Sequence, residues 1–173
     1  SRMAGAYIRG YQENGMLATA KHYPGRGDVT MLDDEFLLNG KPDTRVEAED
    51  LRAFRSAIDA GVAFVMSEHI QIPALTGGSE LPASVEPKLA SFWLRDRLGF
   101  QGILTTDDLW YPKVVKRFGG ETAGVMAIQA GHDVLLKPAN AIGTIEALVS
   151  AVETGAIPMA RVDASVEKIL RAK

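Results

Sequence analysis

Four short apolar, β-rich segments recur along the chain, and each is followed by a polar turn and then a helical pattern. They are Met16–Lys21, Ala63–Ser67, Gly102–Thr106 and Asp133–Leu136. The helical patterns between them cover Ala48–Ala60, Glu86–Leu98, Glu121–Ala130 and Ala141–Thr154. In the first of these, Leu51, Phe54, Ile58 and Val62 recur at helical spacing, so one face is expected to lie against a sheet. Gly61, Gly99, Gly131 and Gly155 follow the helical stretches, where a left-handed cap ends a helix. Strand, loop and helix in regular alternation predict a parallel α/β fold. Near-continuous apolar strands such as Phe64–Met66 suit a sheet buried on both faces. A closed barrel and an open doubly wound sheet both satisfy this pattern.

The count of units bears on that choice. A closed eight-unit barrel takes about 250 residues, whereas this chain has 173 and shows four strand–helix units. Residues 2–12 read as a helix with no strand before it. The expectation is therefore a piece that starts inside a fold, with no linker or second domain. At 46% apolar residues the chain can bury a substantial core. The net charge of −3, with acids and bases interspersed, gives no footprint for a nucleic-acid partner. No apolar run reaches membrane-spanning length. Cysteine is absent, which removes disulfides and thiolate chemistry.

Ionisable residues cluster just after the strands: Lys21 and His22, Glu68 and His69, Asp107 and Asp108, and Lys137. Strand starts carry mostly Gly, Ala and Val. In parallel α/β barrels the carboxyl ends of the strands build the active site, so this one-sided placement points to a site at that edge. Asp107 read alone could equally cap a turn, and Asp108 reads as a structural hydrogen-bonding group. His69 and His132 suit structural roles, the latter because it precedes its strand. The glycines of Gly25-Arg26-Gly27-Asp28 lack the Lys-Ser/Thr ending of a phosphate loop. No HExxH-like spacing appears, so no metal is assigned.

The motifs themselves resemble glycoside hydrolase family 3, in its bacterial β-N-acetylglucosaminidase branch. KHYPGRGDVT (Lys21–Thr30) is similar to that branch's KHFPGHG-type segment. FVMSEHI (Phe64–Ile70) resembles its VM-x-x-H-I strand, and LPASVEPKLASFWLRDRLGFQGILTTDDLW (Leu81–Trp110) resembles the stretch that carries the nucleophile. AIQAGHDVLL and RVDASVEKILRAK resemble the following strand and the closing helix. These motifs stand in the family's order over nearly the whole chain.

The resemblance implies the C-terminal half of a (β/α)₈ barrel, strands five to eight with their helices. It implies a retaining glycosidase acting on terminal β-linked amino sugars without metal or organic cofactor. A carbohydrate is the expected partner, and the missing barrel half or a second copy is expected to complete the fold. By position Asp107 corresponds to the nucleophile. Lys21 and His22 correspond to a pair that hydrogen-bonds sugar hydroxyls, and His69 to a histidine lining the site. Arg26 stands where KHFPGHG has its second histidine and is carried as a substrate-binding candidate. Lys21 would help to keep Asp107 ionised. Trp110 and Tyr111 could stack on a sugar ring or pack on the rim.

The chain departs from the family at the proton donor. The family's Asp-x-His dyad lies on the loop after the KHFPGHG strand, but here the loop VTMLDDEFLLNG has no histidine. Ungapped alignment puts Asp34 at the histidine position, and one inserted residue puts Glu35 there, with Asp33 as the dyad's aspartate. A β-glucosidase of the same family and a non-catalytic sugar-binding relative remain as alternatives.

Overall fold

A computed structural model describes residues 2–27, 29–30 and 36–173. Two three-stranded sheets organise them, flanked by helices. The main sheet is parallel and orders β1 (Thr19–Tyr23), β4 (Phe64–Ser67) and β6 (Ile103–Thr106). The second is small. It pairs β2 (Val29–Thr30) with β3 (Leu37–Asn39) antiparallel, and β3 with β5 (Ile70–Gln71) in parallel.

The helices are α1 (Arg2–Gln12), α2, the short α3 (Pro73–Thr76), α4 (Leu89–Arg97), α5 (Pro112–Phe118), α6 (Gly120–Ala130), α7 (Ala141–Glu153) and α8 (Met159–Arg171). Helix α2 is continuous through Asp43–Arg45, the wider π-type turns Val46–Leu51, and Arg52–Asp59. Helix α4 is π-type throughout. Among the described residues no helix is long and apolar enough to cross a membrane.

Three of the four expected strands are present. Strand β6 is buried along its whole length, with β4 on one edge and the Thr105–Val134 bridge on the other. At β1 burial alternates, because successive side chains point to opposite faces of the sheet.

The fourth expected strand, Asp133–Leu136, is reduced to a single bridge between Thr105 and Val134. Side chains displace the missing ladder. The carboxylate of Asp133 takes the amide of Leu104 at 3.0 Å, and the hydroxyl of Thr106 takes the amide of Leu136 at 3.0 Å. The backbone bonds that remain are irregular: the amides of Asp133 and Val134 share the Leu104 carbonyl, and the amide of Thr106 donates to the Val134 carbonyl, so no regular ladder forms.

Below the sheet lies the main core, in which Tyr23, Val65, Ile70, Leu89, Leu94 and Leu104 pack together. Tyr23 is buried and donates its hydroxyl to the carbonyl of Leu89 at 2.9 Å, so its polar end is satisfied. At the amino-terminal end of β6 the buried carboxylate of Asp133 ties the molecule together. It is held by Arg95 of α4 and by Arg161, Ser165 and Lys168 of α8. Gly131, at φ 118°, ends α6 in a conformation that side chains rarely adopt and turns the chain into this cluster.

Candidate active site

The carboxyl ends of β1, β4 and β6 bring His22, Glu68 and Asp107 together. One polar atom of each lies within 4.8 Å of the others. The sheet register produces this arrangement. Lys21 pairs with Met66 and Tyr23 with Ser67, while Ser67 pairs with Thr106. Each strand therefore releases its next residues at the same level. The amide of Asp107 extends the ladder by one bond, donating to the carbonyl of Ser67 at 2.9 Å.

Asp107 is held on one side and open on the other. Its Oδ1 accepts the amide of Asp108 at 2.8 Å, and its Oδ2 lies 3.6 Å from Nε2 of His22. Its side chain keeps about a fifth of its surface exposed (22%). The neighbouring Asp108 side chain is more exposed (36%), but its carboxylate is engaged. Asp108 accepts the amide of Trp110 at 2.8 Å and the ammonium of Lys137 at 2.6 Å. Burial pushes the Asp108 carboxyl up, but the Lys137 and Trp110 bonds outweigh it and hold the group below its usual range. Two adjacent aspartates thus have different surroundings, one engaged and one presented.

His69 lies beneath this turn rather than facing out from it. Nδ1 is 2.8 Å from the Ser84 hydroxyl and Nε2 is 2.9 Å from the Asp108 carbonyl. Its ring stacks on Tyr111 at 5.4 Å between centroids. With both nitrogens engaged, His69 braces the Asp107–Asp108 turn and has no polar atom left for a sugar. Burial keeps its pKa below the ordinary histidine value despite the Asp108 carbonyl.

Of the two aromatics, Tyr111 is taken up by this stack, while Trp110 is 64% exposed. Lys21 is exposed on β1 and lines an apolar groove against α1 and α2. Among the described residues no contact joins it to Asp107. His132 is fully buried, with Nε2 2.7 Å from the Ser67 hydroxyl and Nδ1 donating to the Ala127 carbonyl at 3.1 Å.

Glu68 is the residue that sequence reasoning passed over. It ends an apolar strand and so carried the same signal as Asp107, but the matched motif leaves its position unspecified. Its side chain is only 5% exposed. The carboxylate accepts the amide of His69 at 3.0 Å and forms an ion pair with Arg26. Arg26 reaches it from a loop whose glycines lie hard against Asp50. A Cβ on Gly27 would meet Asp50 Oδ1 at 2.5 Å and Lys41 Nζ at 2.8 Å. Spacing alone would let His22, Glu68 and Asp107 surround a cation, but a guanidinium already occupies Glu68. We assign these residues no metal.

His22 has a pKa below the ordinary histidine value. Burial is the main cause and Arg26 adds to it, against the upward pull of Glu68 and Asp107. The imidazole beside Asp107 is therefore neutral near pH 7, and can exchange hydrogen bonds with a ligand without forming an ion pair with the carboxylate. Asp33, Asp34 and Glu35, the three candidates for a proton donor, lie outside the described residues.

The sequence and the fold are shared with known proteins. The profile of the glycosyl hydrolase family 3 N terminal domain matches residues 1–172. The chain belongs to glycoside hydrolase family 3. It is 32% identical over 180 residues to the beta-hexosaminidase LpqI of Mycobacterium tuberculosis, covering 98% of this chain and 45% of that protein. Its fold superposes on a family 3 beta-N-acetylglucosaminidase from Paenibacillus sp. str. FPU-7 with a TM-score of 0.93. Identity there is 33%, with coverage of 99% of this chain and 33% of the other. The beta-glucoside phosphorylase BglX superposes at 0.91 with 28% identity, covering 99% of this chain and 32% of its own. This family 3 chain thus spans less than half the length of each of these relatives.

Proposed function

We propose that this family 3 chain carries the nucleophile of a retaining glycoside hydrolase that acts on terminal β-linked N-acetylamino sugars. The observation that carries the reading is the asymmetry of the two aspartates. Asp108 is occupied by Lys137 and the Trp110 amide, while Asp107 presents a carboxylate that is fixed from below and open above. Hydrolysis with retention needs an ionised carboxylate in a fixed position. An Asp107 oxygen would attack the anomeric carbon, forming a glycosyl ester as the bond to the aglycone oxygen breaks. A proton donor would protonate that oxygen. Water, deprotonated by the same group, would then attack the anomeric carbon and release Asp107.

The amino-sugar specificity is supported by relatives named beta-hexosaminidase and beta-N-acetylglucosaminidase. His22, Arg26 and Trp110 are the candidates for sugar contacts, with Lys21 on β1. The three histidines of the chain are His22, His69 and His132, and none stands in the segment 29–40. The donor in this reading is the carboxyl group of Asp34 or Glu35, the latter with Asp33 as its partner, or a group outside this chain. No cofactor is needed.

We further propose that the four strand–helix units are the fifth to eighth of a (β/α)₈ barrel. The parallel order β1-β4-β6, continued by the Thr105–Val134 bridge, supports this, as does the partial coverage of longer relatives. The missing barrel half, or a second copy, would supply the remaining sugar contacts.

The test is mass spectrometry of the full-length parent after treatment with a 2-deoxy-2-fluoro or 5-fluoro glycoside. A glycosyl label on the peptide that contains Asp107 is the expected result, and a label elsewhere would overturn the assignment. The lack of a loop histidine favours a second reading, a non-catalytic sugar-binding relative. Reversible binding with neither label nor turnover would establish that one. A β-glucoside-acting member is the enzymatic alternative, favoured by the likeness to BglX. Comparing turnover of a chromogenic N-acetylglucosaminide and a glucoside separates the two.

A further inference from the structure

Glu68 places a second carboxylate beside the proposed nucleophile, and the fold must deal with its charge. Two carboxylates within 4.8 Å of one another disfavour joint ionisation, and a neighbouring imidazole is the readiest group to take up a proton between them. A protonated His22 would stand 3.6 Å from Asp107 and pair with it. That would tie up the lone pairs needed for attack and leave a cation where a neutral sugar ligand must fit.

Arg26 removes the cause. Its guanidinium lies on the Glu68 carboxylate, whose other oxygen accepts the His69 amide. The buried carboxylate thereby has a counter-charge that is always present, since an arginine does not lose its proton in the accessible range. The loop that carries Arg26 is seated against Asp50 through Gly25 and Gly27, and Asp50 is itself held by Asn39 and Lys41. Arg26 thus approaches Glu68 from an anchored loop.

We propose that Arg26 is a positioning residue, the built-in counter-charge of Glu68, which prevents His22 from being drawn into an ion pair with Glu68 or Asp107. This rests on Asp107 being the nucleophile for its catalytic meaning, though not for its measurement. The charged groups that bear on His22 are Glu68, Arg26, Asp107 and Lys21. Arg26 lowers the pKa of His22 and Glu68 raises it, in keeping with the geometry.

The experiment is NMR titration of the histidine rings in the intact protein, for Arg26→Gln, Glu68→Gln and the double variant. Three histidines give three ring signals, which the single variants His69→Gln and His132→Gln assign, leaving that of His22. Arg26→Gln is expected to raise the His22 pKa by roughly one unit, and Glu68→Gln to lower it. The double variant should return it near the starting value, and Arg26→Lys should restore most of it. A pair that merely anchored the loop would shift His22 in the same direction in both single variants, or leave it unmoved. Either result overturns the proposal. The acidic limb of kcat/KM should move with the same signs. If Asp107→Asn keeps full turnover, the nucleophile reading fails, while the His22 titration still decides the role of Arg26.

Discussion

Two buried polar residues adjacent in sequence, His132 and Asp133, are stabilised by opposite means. His132 is kept neutral: burial pulls its pKa from 6.5 to about 3. Between those values the unfolded chain holds a proton that the folded chain does not. Stability is therefore complete above pH 6.5 and falls by about 1.4 kcal/mol for each unit below it. The loss ends near the folded pKa of about 3. Urea denaturation between pH 4 and 7 should show this slope, and His132→Gln, which cannot titrate, should flatten it. Asp133 is kept charged. Burial would raise its pKa, but the Leu104 amide, the Ser165 hydroxyl and the cations Arg95 and Lys168 together hold it below the ordinary value. Replacing Asp133 with Ala would leave those cations facing an apolar gap, at a cost of about 3–5 kcal/mol. Thermal unfolding measures that loss, and an unchanged midpoint would show that the cluster contributes nothing net.

At the scale of elements, what matters is how β6 is delivered to the site. Gly102 precedes the strand, and a Cβ there would come within 2.4 Å of the Ala63 carbonyl and 2.7 Å of the Phe100 ring. Backbone and a buried ring cannot both yield. Gly102→Ala is expected to cost about 1–3 kcal/mol. It should also reduce turnover of the full-length parent, because β6 carries Asp107; a fully active, equally stable variant would rule this out. Periodicity located β4, β6, α6 and α7 to within a few residues, since each keeps one spacing along its length. It missed β2, β3 and β5, whose two or three residues are too few to show alternation. At Asp133–Leu136 it marked a strand where side chains had taken the backbone's partners.

On the whole-molecule scale, apolar surface is left uncovered at both ends of the main sheet. One groove of about 650 Å³ runs between α1, β1 and α2, with Tyr7, Tyr11, Met16 and Leu17 on its wall. Another of about 510 Å³ lies among α6, α7 and α8 and is lined by Leu135, Ile145, Val149, Met159 and Val166. Exposed apolar patches beside an unpaired sheet edge are association surfaces. The 173-residue chain by itself is expected to self-associate with rising concentration. In a longer chain that carries both barrel halves both grooves should be covered, so a light-scattering series comparing the two checks the half-barrel proposal. A monodisperse 173-residue monomer that unfolds cooperatively would count against it.

The sequence by itself determined the α/β alternation, the edge of the sheet where chemistry gathers, and the family. These are properties of local spacing and residue type, which survive in a linear reading. It also marked Asp107 as one of several ionisable residues that follow a buried strand, and the family resemblance singled it out. Only the tertiary structure decided which of two adjacent aspartates is open, that His69 braces the turn instead of facing out, and that Glu68 and Arg26 neutralise each other beside His22. Those depend on contacts between residues about 40 positions apart. Strand register and the reach of a loop set such contacts, and a linear pattern records neither.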